Sequence, residues 1–143
     1  MALRPDDPLA HRALEGLLRA ETAVRRRLSA DLQRQGLSAS GFSMLVVLTT
    51  AGGELPLSAL RGRLRASKAN ATEVVTTLHN AGLVIRRRGP KDRRTATVAL
   101  TESGRRAVES LFPDHTGRVR DAFAVLDEHE KRSLARICRK LAV

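Results

Sequence analysis

Between Leu57 and Leu100 the spacing of apolar residues changes once, at Leu83, and no other feature constrains the fold as much. Leu57, Leu60 and Leu64 step by three or four residues, as on one face of a short helix. Ala66 and Ser67 follow as a turn, with Ser67 as the candidate N-cap of a second helix. That helix has Ala71, Val74, Val75 and Leu78 as its inward face and ends at Ala81-Gly82, where glycine suits a left-handed cap. Two short helices on a tight connection are the pattern of a helix-turn-helix. After Leu83 the pattern becomes that of strands, Val84–Arg88 and Thr95–Leu100, separated by Gly89-Pro90-Lys91-Asp92-Arg93-Arg94. A hairpin directly after a helix-turn-helix is a wing.

The flanks read as helices. Leu14, Leu17, Glu21, Val24, Leu28 and Leu32 share a face, and Gly36 stops the helix. At roughly 25 residues its apolar stripe needs a partner along its length. Ser38 or Ser40 is expected to cap a helix with Phe42, Leu45, Val46 and Leu48 inward, ended by Gly52-Gly53. Glu54-Leu55-Pro56-Leu57 is too short and Pro-broken for a central strand but fits an edge. Thr101 caps a helix with Ala107, Val108, Leu111 and Phe112 on one face, and Pro113 predicts a kink or break. Val119, Ala122, Phe123 and Leu126 resume the period. Asp127-Glu128-His129-Glu130 opens a last helix with Leu134, Ile137, Cys138 and Leu141 as its stripe. Cys138 on that stripe reads as a core or interface thiol rather than a sensor.

Charge narrows the function. The 143 residues carry a net +11, and only four of the 26 cations are lysines. Residues 61–94 hold ten cations against Glu73 and Asp92, a net of +8 in about a quarter of the chain. A basic segment this concentrated is the electrostatic footprint of a polyanion partner. Other classes recede. The longest apolar stretch, Met44–Leu48, is far short of the ~20 residues that cross a bilayer. A single cysteine forms no internal disulfide or cysteine-based zinc cage. His11, His79, His115 and His129 are scattered, so neither a metal nor another cofactor is expected. Gly-x-Ser-x-Gly, P-loop and His-Glu-x-x-His patterns are missing, so no enzyme is expected. The N-terminus shows no secretory signal, and a cytoplasmic location is expected.

The outward face of the second motif helix carries Lys68, Ala69, Asn70, Thr72, Glu73, Thr76 and Thr77, which are short and mostly polar. Asn pairs twice with adenine, Thr meets base edges, thymine methyls or phosphate, and the amides near Ser67–Ala69 suit a phosphate. Glu73 is the odd member: it accepts from cytosine N4, or it repels the backbone and narrows specificity. In the hairpin, Lys91, Arg93 and Arg94 crowd around Asp92, which can fix one guanidinium and aim it at a minor groove. Arg86 and Arg88 extend the basic surface along the first strand. Three phenylalanines without Tyr or Trp argue against single-strand binding, which needs stacking platforms.

Ala81-Gly82-Leu83-Val84-Ile85-Arg86, then Asp92-Arg93-Arg94, then Val98-Ala99-Leu100-Thr101-Glu102-Ser103-Gly104 resembles the MarR (multiple antibiotic resistance regulator) family of winged-helix transcription regulators. The likeness spans roughly residues 10–142, including the long first helix and the final one from Leu126. Arg61 and Arg65 depart from it, standing where the family has a small residue and a glycine. The resemblance implies a mainly α fold with a small β-hairpin wing (α+β), a winged helix-turn-helix with N- and C-terminal dimerisation helices. It implies one domain over 1–143, with dimerisation helices at about 8–36 and 102–143 and a winged region at about 38–101. Leu14, Leu17, Val119, Phe123, Leu134, Ile137 and Leu141 are then dimerisation residues. The implied regulator is a homodimeric repressor of a palindromic double-stranded operator, with Ser67–Thr77 as recognition helix, Asp92 and Arg94 as the wing pair, and release by a small-molecule effector. The rival readings are an architectural or RNA-binding basic protein without an operator, and an interaction module that no longer touches DNA.

Overall fold

The computed structural model describes residues 6–64, 68–89 and 95–142. Its elements are α1 (Pro8–Arg34), α2 (Ala39–Thr50), β1 (Glu54–Pro56), α3 (Leu57–Leu64), α4 (Lys68–Asn80), β2 (Val84–Arg88), β3 (Ala96–Leu100), α5 (Glu102–Ala122) and α6 (Glu128–Leu141). The fold is therefore mainly helical with a small antiparallel sheet, as the change of period at Leu83 predicts. The chain divides into two compact units, Asp31–Asp114 on one side and Met1–Ala30 with His115–Val143 on the other.

The 31–114 unit holds the core. Leu45, Leu48, Leu60, Val75 and Val98 are fully buried, with Phe42, Met44, Leu78 and Val84 nearly so. Each such side chain contributes about 1.5–3 kcal/mol on leaving water. Met44 takes the buried place expected of Val46, which is only half-buried: α2 presents a broader apolar face than a single stripe. Local chemistry sets the element ends. Gly36 at φ 71° and Gly82 at φ 74° adopt the left-handed conformation that stops α1 and α4. After each, an amide reaches back five residues, Leu37 N–H to Leu32 O at 2.9 Å and Leu83 N–H to Leu78 O at 3.0 Å. Ser38, not Ser40, caps α2: its Oγ accepts from the Gly41 amide at 3.0 Å.

The sheet runs in the order β1-β3-β2. β1 is an edge strand, as its Pro56 requires, with Leu55 opposite Val98. β2 is the other edge, with Val84 opposite Leu100, Arg86 opposite Val98 and Arg88 opposite Ala96. Side chains alternate along a strand, so Arg86 and Arg88 share the pleat face of Val84, and Arg87 shares that of Ile85. Ladder pairing ends near Gly89, whose amide donates to Thr95 O at 3.1 Å.

One corner locks the hairpin to α5. The Thr101 hydroxyl donates to Gly82 O at 2.6 Å and accepts from the Gly104 amide at 3.0 Å, while the Thr101 amide donates to Leu83 O at 3.1 Å. Thr101 thus caps α5 and ties it to the turn that ends α4. Pro113 does not break α5, which runs from Glu102 to Ala122 with the proline inside. A mid-helix proline removes one N–H donor, and here the remaining backbone bonds carry the helix past it. The boundary between the units falls just beyond, at Asp114–His115.

In the second unit, none of the described residues is fully buried. Val24, Leu28, Val119, Phe123 and Leu126 are half-buried, whereas Leu14, Leu17, Ile137 and Leu141 are exposed at 52%, 42%, 46% and 67%. Asp127 and Glu130 form a reciprocal capping box at the start of α6. Cys138 is exposed, so its stripe is not a core within one chain. Burial holds the His115 imidazole below its ordinary pKa of about 6.5. The unfolded chain then takes up the proton first. Stability is full above about pH 6.5 and falls as the pH drops toward the depressed folded value. Thermal melts between pH 5 and pH 8 should lose this part of the acid-side decline in His115→Gln.

Candidate nucleic-acid interface

The surface that concentrates recognition chemistry lies in the 31–114 unit and is built on α4. Ala71, Val75 and Leu78 anchor the helix in the core at 1%, 0% and 2% exposure. With that face fixed, the 3.6-residue period turns Ala69, Asn70, Glu73, Thr76 and Thr77 outward, and all five are exposed. Thr72, at the margin, is half-buried. Two hydroxyls are turned back onto the helix, Thr76 Oγ1 to Thr72 O at 2.9 Å and Thr77 Oγ1 to Glu73 O at 3.1 Å.

Along β2, Arg86, Arg87 and Arg88 are all exposed. A surface of short polar side chains on a helix, next in sequence to a strand edge of three guanidiniums, can enter a groove with the first and hold phosphates with the second. Ser67, Lys91, Asp92, Arg93 and Arg94 lie outside the described residues, so the turn cap and the hairpin tip remain expectations. Lys68 opens α4, and its side chain is likewise not described.

Two clefts beside α4 went unread in the sequence. One of about 320 Å³ is lined by Ser38, Ser40 and Gly41 of α2 with Asn70, Glu73 and Thr77 of α4. A second of about 400 Å³ is lined by Ser40 and Ser43 of α2, Arg63 of α3 and Asn70 of α4. Arg63 is exposed and belongs to the basic segment, so local charge density was the signal that marked it. The α2 first turn carried no such signal, because neutral serines mark a cap before they mark a surface. Arg61, one of the departures from the family pattern, is half-buried, and its Nε finds no acceptor among the described residues. Among the described residues no three His, Cys, Asp or Glu side chains gather to hold a metal, and no helix is long and apolar enough to cross a membrane.

Known proteins share this arrangement. A family model described as MarR family matches residues 37–96, the winged region. The HTH-type transcriptional regulator MhqR of Bacillus subtilis is 26% identical over 89% of this chain and 87% of its own length. The HTH-type transcriptional regulator BilQ of Clostridium symbiosum is 30% identical over 78% of this chain and 77% of its own length. The crystal structure of Sco3205, a MarR family transcriptional regulator from Streptomyces coelicolor, in complex with DNA, superposes with a TM-score of 0.88 at 25% identity, covering 99% of this chain and 90% of that one. The chain belongs to the MarR family. As a MarR-family protein it is a DNA-binding transcription regulator, and the reading of the residues as an architectural or RNA-binding protein finds no support. The MarR likeness extends beyond the winged region, since the superposition takes in nearly the whole chain.

Proposed function

We propose that this regulator acts as a homodimeric, sequence-specific repressor of a palindromic operator, in the cytoplasm and without enzymatic activity. The observation that carries the reading is the exposed α4 face followed directly by the exposed Arg86–Arg88 edge. Ala69, Asn70, Thr72, Glu73 and Thr76 then read the major groove. Ser67, Lys68, Arg86 and Arg88 hold the backbone, and Lys91, Asp92, Arg93 and Arg94 form the wing tip that meets the minor groove. Dimerisation is supported by the second unit, whose apolar Leu14, Leu17, Leu134, Ile137 and Leu141 stay exposed in a single chain, with Val119 and Phe123 half-buried beside them in sequence pattern. Two-fold symmetry would set the recognition helices about 34–36 Å apart on one face of a duplex. A small effector that favours the DNA-free state would release the operator, and thermal-shift screening against the purified protein would find it.

The test combines assembly and selectivity. In sedimentation at micromolar concentration the protein should run as a dimer. In competition, a duplex from the upstream region of its own gene should outcompete random duplex by about 10³-fold or more. A lone subunit, or equal affinity for every duplex, overturns the proposal.

A further inference from the structure

Glu73 is an anomaly of placement. On the other helices five acids pair with cations, Glu21 with Arg25, Asp31 with Arg34, Glu102 with Arg106, Asp121 with Arg120 and Glu128 with Lys131. Of the rest, Glu15, Glu109 and Asp114 each have an arginine three or four residues away, and Glu130 accepts from the Asp127 amide in the capping box. One turn away from Glu73 in either direction stand Ala69, Asn70, Thr76 and Thr77, none of them basic. No ion pair to its carboxylate forms among the described residues, although it lies within the +8 segment. Nor is it peripheral. Its direction on the helix is nearly opposite the buried side made by Ala71, Val75 and Leu78, which puts it at the centre of the outward face.

Its neighbours sharpen the chemistry. From Glu73 to Thr77 the exposed side chains that carry polar atoms are Glu73, Thr76 and Thr77. Both threonine hydroxyl protons are already donated to backbone carbonyls. From Glu73 to Thr77 the face therefore offers oxygen lone pairs, with one full negative charge among them and no free side-chain proton; the nearest side-chain amide, that of Asn70, lies one turn toward the N-terminus. Guanine N7 and O6 and thymine O4 are acceptors, and such a face repels them. Cytosine presents the N4 amino donor. Adenine also presents an amino group, but its N7 lone pair lies beside it and opposes the second carboxylate oxygen.

We propose that Glu73 is a specificity-determining residue that selects a cytosine in each half-site by accepting a hydrogen bond from the N4 amino group in the major groove. The inference rests on the reading of α4 as the helix that enters that groove. Of the two roles open to Glu73, acceptance from a base and repulsion of the backbone, it takes the first, with choice at one base pair.

Selection from a duplex library randomised over about 20 base pairs, using the full chain, tests it, followed by titration of single-position variants of the selected site. The wild-type protein should enrich cytosine at one position per half-site, and replacing that base should weaken binding by about ten- to a hundredfold. Glu73→Gln should move the preference at that position to adenine, because an amide pairs with adenine N6 and N7. Glu73→Ala should level the four bases there and leave other positions unchanged. Glu73 is exposed, so both variants should melt with the wild type. If the variants enrich the same base as the wild type everywhere, or gain affinity equally for all duplexes, the inference is overturned while the DNA-reading role of α4 stands. If the wild type itself enriches no sequence, that role falls too.

Discussion

Replacing Gly104 with alanine should lower the melting temperature by about 5 °C or more. A Cβ at this position would overlap the Leu83 carbonyl oxygen and stand 3.1 Å from Leu100 Cδ2. The leucine methyl can yield by rotation, but the carbonyl cannot. It already accepts the Thr101 amide at 3.1 Å, and Thr101 caps the helix that contains Gly104. Moving Leu83 to admit a methyl group would loosen the cap, the end of α4 and the start of β2 together. Overpacking a filled site costs about 1–3 kcal/mol, and more where the obstacle is main chain. Alanine's helix preference over glycine returns only about 1 kcal/mol. Gly16→Ala is the control: it lies mid-helix in α1 with nothing within 4 Å of the added carbon, and it should match or slightly exceed wild-type stability. A Gly104→Ala protein that melts within about 2 °C of wild type would show that the corner is soft.

The affinity of the protein for its operator should collapse with salt. Phosphates condense counterions, and each phosphate neutralised by a lysine or arginine releases them. Each chain offers ten cations between residues 61 and 94. A dimer that makes about 6–10 phosphate contacts should lose about 10³–10⁵ in affinity between 50 and 200 mM salt. The double variant Arg86→Ala, Arg88→Ala removes two exposed guanidiniums on one pleat face per chain. For a dimer, the slope of log affinity against log salt should then shrink by about 3.6, with the melting temperature unchanged. Fluorescence anisotropy over a salt series measures both. A flat salt response would mean that the basic segment does not contact the backbone.

The sequence made the corner legible because each of its parts obeys a local rule. A left-handed glycine after α4, a threonine before α5 and the switch to strand spacing between them are all short-range signals. The same holds for Gly36, for Asp127 with Glu130 and for the edge position of Pro56. What stayed hidden depends on residues distant in the chain. The α2 first turn and Arg63 join Asn70 beside α4 only through tertiary packing, so the clefts there left no mark on spacing. Pro113 predicts a kink or a break by its local rule, and the break does not occur because backbone bonds on either side keep α5 continuous. At Cys138, periodicity distinguished the apolar side of the helix but not whether this chain itself covers it.

The arginines of β2 have a second effect, on solubility. Both outer strands of the sheet expose main-chain groups on which another polypeptide could assemble a fibril. β1 is three residues long and ends in Pro56, which has no amide proton to offer. β2 carries three consecutive exposed arginines, and a second such strand laid alongside would be pushed away by like charge. Neutralising those guanidiniums to weaken nucleic-acid binding would also remove a guard against aggregation, so such variants should aggregate at lower concentration than the parent protein.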